Sequence, residues 1–225
     1  YNQRYYRNWM HELPPLTHAV RQTVIDVHHT ITPPTSRFAV DGALLLPHVR
    51  PLPHGPVAGR IAVLDLPHMV LHSAAHLFGE GEFDHGLRDL LDMDDLLLHG
   101  QATQADFWPH LLDRADALRL QVPLYHALAQ VQRLFGTAPP PALAARAQAL
   151  QPSASARLAM GWALQQALRP MHPSCDTAAS AVARFALYVR SHWIRMPAHL
   201  VLRHLLRKAW MRAFPPKDTN PTLTV

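Results

Sequence analysis

Two short runs near the start of the chain, Leu16–Val20 and Thr23–Ile31, are rich in Val, Ile and Thr and are separated only by Arg21-Gln22. That pattern predicts a β-hairpin. Within the second run the side chains alternate: Ile25, Val27 and Ile31 fall on one face, Asp26, His28 and Thr30 on the other. Pro33-Pro34 ends it. Residues 35–60 are punctuated by Pro47, Pro51, Pro53 and Pro56, leaving room only for an edge strand near His48–Leu52. Arg60–Leu64 reads as a last strand.

From Asp65 onward the apolar period changes from two to about 3.6. Asp65 is a good N-cap and Pro67 suits a first helical turn, so a helix is expected to run to Phe78 before Gly79-Glu80-Gly81 breaks it. A second helix, Phe83–His99, carries Leu87, Leu90, Leu91, Leu97 and Leu98 and should close at Gly100. Further helices are expected at about 104–119, 123–135, 140–150, 154–169, 176–195 and 198–213, separated by prolines. The expected fold is α+β and mainly α: a short N-terminal β region over 1–64, a helical array over 65–213, and a disordered tail over 214–225.

Composition narrows this picture. The 225 residues are 48% hydrophobic and 16% charged, enough for one sizeable core. No apolar run approaches the roughly 20 residues that span a bilayer, so a cytoplasmic protein is expected. The lone Cys175 excludes an internal disulfide and a cysteine-based zinc knuckle. The chain opens on Tyr1 instead of Met, which reads as a fragment boundary or as processing. Net charge is +5, and from Arg184 onward eight basic residues face one acid, Asp218. Such asymmetry fits either an anionic partner, nucleic acid among them, or simply a solvated arginine-rich face.

Three segments hold candidate chemistry. The first is the strand around Asp26 and His28, where a carboxylate on a rigid element is a metal or base position, or else part of a solvated polar face. The second is the helix bearing His68, His72 and His76 at four-residue spacing. Histidines at i and i+4 can chelate zinc, but the glutamate of the H-E-x-x-H motif is missing; lining a cleft is the other reading. The third is Asp92-Met93-Asp94. On a helix these two carboxylates point about 200° apart, so they are not the strand-borne D-x-D of a metal site.

The succession Ile25-Asp26-Val27-His28, Val63-Leu64-Asp65-Leu66-Pro67-His68-Met69, Leu71-His72-Ser73-Ala74-Ala75-His76-Leu77-Phe78 and Leu87-Arg88-Asp89-Leu90-Leu91-Asp92 resembles the uncharacterised bacterial nucleotidyltransferase-like family of the polymerase-β superfamily. Arg190-Ser191-His192-Trp193-Ile194-Arg195-Met196-Pro197 is similar to its members too. The resemblance covers about residues 1–99 and 184–212, corresponding to the C-terminal part of that family. It implies transfer of a nucleotidyl group from a nucleoside triphosphate (NTP) to a hydroxyl-bearing acceptor, with Mg2+ as cofactor. Asp26 would then be a catalytic, metal-holding carboxylate, with His28, His72 and His76 lining the nucleotide site. In that superfamily a Gly-Ser turn precedes two further carboxylates on one strand. The 225 residues contain no such block, and it is expected upstream of Tyr1. A second reading remains open: a non-catalytic helical module that binds nucleic acid or an acidic partner through Arg184–Arg212. A third is a zinc hydrolase built on the His68/His72/His76 stripe.

Overall fold

The computed structural model describes residue 6, residues 8–197, residues 199–203, and residues 206 and 210. Four short strands precede seven α-helices among these residues: β1 (Leu16–Thr17), β2 (Val24–Ile25), β3 (Val49–Pro51), β4 (Ala62–Leu64), α1 (Leu66–Gly79), α2 (Gly86–Thr103), α3 (Phe107–Ala117), α4 (Gln121–Phe135), α5 (Ala144–Ala149), α6 (Ala154–Ala167) and α7 (Ala178–Arg195). The fold is mainly α with a small β element, as the change of period predicts. The final expected helix is helical over 199–203, and the tail 214–225 lies outside the described residues.

The strands form two antiparallel pairs, β1–β2 and β3–β4, and the predicted edge strand near His48–Leu52 is β3. The hairpin is much shorter than its pattern predicts. Leu16 faces Ile25 and Thr17 faces Val24, but the next contacts are Leu13 N–H to Val27 O at 2.8 Å and a bridge between Glu12 and His28. Between these registers, Pro14 and Pro15 stand opposite Asp26 alone. Two prolines offer the ladder no N–H, so pairing stops and resumes one residue out of step, as in a β-bulge. Thr23–Ile31 is therefore not one strand, and of its expected inner face Ile25 and Val27 are 62% and 39% exposed, leaving only Ile31 packed against the core.

Helix α1 is the hub. It packs on α2, α3 and α4, and its far end touches α7. Val70, Leu71, Ala74 and Phe78 are completely buried and Leu77 nearly so, which takes in more than one side of the helix. Asp65 caps it as expected, its Oδ1 accepting from His68 N–H at 3.1 Å. Helix α2 continues past the glycine expected to close it. A Cβ on Gly100 would lie 2.4 Å from the buried Phe107 ring, so the residue marks a close approach of α3 and not a helix end. Helices α6 and α7 form a second, mutually packed pair.

The loop after the hairpin ties α7 to the β region. Thr35 Oγ1–H, Arg37 N–H and Arg37 Nε–H donate to the carbonyls of Arg195, Ile194 and Trp193 at 2.7, 2.8 and 3.1 Å. These are carbonyls that the last helical turn leaves without internal partners. The Arg37 guanidinium also lies 4.8 Å over the Trp193 ring.

His126 of α4 sits between the rings of Phe78 and Tyr125 and is 4% exposed. Burial, helped by the charge of Arg190, pushes its imidazole down from 6.5 to about 4. The unfolded chain therefore binds a proton at a higher pH than the folded one, so stability is full above the unfolded pKa and falls as pH drops from about 6.5 towards 4. His126 should account for roughly 2–3 kcal/mol of that loss. Urea denaturation of His126→Phe across this range should show a flatter pH dependence than the parent protein.

Candidate functional site

The bulge opposite Pro14-Pro15 leaves Asp26 exposed in the link directly after β2. Two residues later the backbone pairs again. His29 N–H donates to His11 O at 3.0 Å, and the Glu12–His28 bridge sets those two side chains across from each other. His28 Nε2 lies 3.4 Å from Glu12 Oε2, and the His11 and His28 rings meet edge to face at 4.8 Å.

Helix α1 supplies the other wall. His72 is half-buried, and burial, then His76 and His28, hold its imidazole below the usual value. His76 is exposed one turn on, its ring centroid 6.4 Å from that of His72 and its Nε2 3.6 Å from Glu80. Glu80 also takes an ion pair from Arg195 at 2.8 Å. Gly81 makes this junction of α1 and α7 feasible, because a Cβ there would lie 2.6 Å from Ser191 Oγ and 2.9 Å from Tyr188 Cα. His11 sits amid these groups, its pKa pushed down to about 4 by burial and then by His28 and Arg195. A depression between the β region and α1 is lined by His11, Thr32, Ala75, His76, Glu80 and Arg195.

Of the residues singled out from sequence, His28, His72 and His76 thus converge on one face. His68 does not share it. Its ring is buried on the other flank of α1, where Nδ1–H donates to Asp65 Oδ1 at 2.6 Å and Nε2 accepts from Arg114 Nε–H at 3.0 Å. This bonding fixes one neutral tautomer. His48 stacks on it at 4.3 Å. Asp92 and Asp94 separate as helical geometry requires, the first exposed and the second buried. Sequence reasoning missed Glu12, His11 and Glu80. The adjacent His11-Glu12 pair was legible as potential ligands, but its register opposite His28 was not.

Among the described residues, two groups have metal-ligand atoms that all lie within 4.8 Å of one another: His11–Glu12–His28 and His48–Asp65–His68. The second is poorly suited to a cation, since a guanidinium already occupies His68 Nε2. Neither is the predicted His68/His72/His76 stripe. The arginines invoked for an anionic partner are partly engaged: Arg184 pairs with Asp176 at 3.0 Å, Arg190 Nη1 donates to Phe78 O at 2.7 Å, and Arg195 pairs with Glu80.

Residues 1–136 match the model of a family described as an uncharacterised nucleotidyltransferase. The chain belongs to that family. The match runs from the hairpin through α4, farther into the helices than the sequence resemblance reached, and it does not include Arg190–Pro197. No match was found among curated proteins or solved structures. No helix among the described residues is long and apolar enough to cross a membrane.

Asp65 serves two roles in this family member, capping α1 and accepting from His68 in a buried setting. Asp65→Ala should cost about 2–4 kcal/mol, the sum of a lost cap and of the buried His68 imidazole left short of an acceptor for its Nδ1–H. Guanidinium denaturation of the variant, read by far-UV circular dichroism, checks this.

Proposed function

We propose that the protein acts in the cytoplasm as a metal-dependent nucleotidyltransferase, moving a nucleotidyl group from an NTP to a hydroxyl-bearing acceptor. The observation that carries this reading is the family match, whose range includes Asp26, His28, His72 and His76 together. In this reading Asp26 is a metal-holding carboxylate, and the three histidines line the nucleotide site.

The donor chemistry assigns the parts. Mg2+ takes oxygen ligands and is usually bound through one or two carboxylates plus substrate phosphates. Asp26, exposed beside the bulge, is an oxygen donor of that kind, while imidazoles are not. When bound, the metal supplies charge neutralisation at the triphosphate and polarises its phosphoryl oxygens. The histidines contribute separately. A neutral imidazole such as His72, held so by burial, donates one N–H to a phosphate oxygen without adding charge. His76 is exposed and offers a second imidazole to the same phosphates.

The nucleic-acid reading takes second place, because Arg184, Arg190 and Arg195 already have partners within the chain.

In a protein that also carries the two further carboxylates expected upstream of Tyr1, Asp26→Asn should lower metal-dependent transfer from a labelled NTP by about 100-fold or more, as loss of a metal ligand does. Stability should change by less than about 0.5 kcal/mol, because the side chain is exposed. Unchanged transfer in the variant would overturn the role of Asp26. Because Asp26 is one carboxylate, the 225 residues alone should hold Mg2+ no better than a generic acidic surface. Calorimetry with Mg2+ and an NTP reads this directly.

A further inference from the structure

We propose that His11, Glu12 and His28 form a site for a divalent transition-metal ion of the zinc class, distinct from the Mg2+ chemistry expected of the family. Two imidazoles and one carboxylate are the donor set that borderline metals prefer and that Mg2+ does not. Three protein ligands with a fourth position left for water or substrate is also the usual arrangement of an open zinc site.

The geometry is close to what such an ion needs. Bonds of about 2.0–2.2 Å in a tetrahedron put neighbouring ligand atoms roughly 3.3–3.5 Å apart. His28 Nε2 and Glu12 Oε2 are already separated by 3.4 Å, and all three ligand atoms fall within 4.8 Å of one another. Closing the set requires separations of up to 4.8 Å to shorten. The backbone is held in place: the Glu12–His28 bridge is flanked by Leu13 N–H to Val27 O and His29 N–H to His11 O, at 2.8 and 3.0 Å.

One further observation concerns His11. Its Nδ1 is buried and has no hydrogen-bond partner among the described residues, an unmet polar capacity of the kind that folded proteins rarely leave. The nearby positive charge of Arg195 is offset by Glu80, with which it pairs. The contrast with His48–Asp65–His68 is instructive, because there both ring nitrogens of His68 are already in use.

Competition of the intact protein with a chromophoric zinc chelator, together with the visible spectrum of the Co2+ form, tests the site. One equivalent of Zn2+ should bind, and Co2+ should give the intense bands of tetrahedral coordination. Glu12→Gln and His28→Ala should each weaken binding by about 100-fold or more, since even loss of a group supporting a ligand costs roughly 10–100-fold. His48→Ala should leave affinity unchanged. Circular dichroism verifies that each variant is folded, and Glu12→Gln, nearly isosteric, serves if His28→Ala is not. The proposal is overturned if the parent protein lacks a stoichiometric site. It is equally overturned if affinity survives in both folded variants, which would mark the binding as adventitious to a chain with 17 histidines. No nucleotide enters the measurement, so its outcome is independent of the nucleotidyl-transfer reading.

Discussion

Helix α1 has several faces that must be kept from water. Its apolar residues are buried against α2, α3 and α4, and its N-terminus is closed by Asp65, whose carboxylate meets both the His68 backbone and the His68 ring. Burying an imidazole costs free energy unless both nitrogens find partners. Here they do, through Asp65 on one side and Arg114 of α3 on the other. One polar chain thus fixes where the helix begins and orients it against α3. The β3–β4 pair joins it, since β4 ends at the residue before the cap and Asp65 N–H donates to His48 O at 2.8 Å.

With α1 fixed, its other flank becomes a wall. His72 and His76 project from it towards the hairpin, and the junction at Glu80 and Gly81 brings in α7. The hairpin meets this wall in a broken register. A continuous ladder would have been a regular ribbon; the prolines interrupt it, leave Asp26 in water, and re-form pairing where Glu12 faces His28. The space between the hairpin and α1 is consequently rich in imidazole and carboxylate, with burial holding the His11 and His72 imidazoles below their usual pKa.

That mixture bears on which ligand each residue serves. In the roles proposed above, hard oxygen chemistry would fall to Asp26, and nitrogen-rich chemistry to the His11–Glu12–His28 group. Phosphate oxygens, which accept hydrogen bonds from neutral N–H as well as from cations, would suit His72 and His76 in the same reading. The family assignment points to nucleotidyl transfer at a coarse level, and the local donor sets are what motivate the roles proposed within it.

Sequence by itself determined the local features. The change from period two to 3.6 at Asp65, the cap at Asp65, the helical reading of Asp92-Met93-Asp94 and the family resemblance of the His72/His76 block all depend on neighbours within a few residues, where spacing and propensity act. Tertiary structure decided the rest. Gly100 reads as a helix stop from its own chain, but the Phe107 ring packed on it turns it into a contact point. Alternation through Thr23–Ile31 reads as a strand, yet a strand needs partner N–H groups, and Pro14 and Pro15 have none to give. His68 looks equivalent to His72 and His76 on a helical wheel; only the approach of Arg114, 46 residues away, makes it structural. Glu12 meets His28 for a similar reason, through a backbone register that side-chain spacing does not encode.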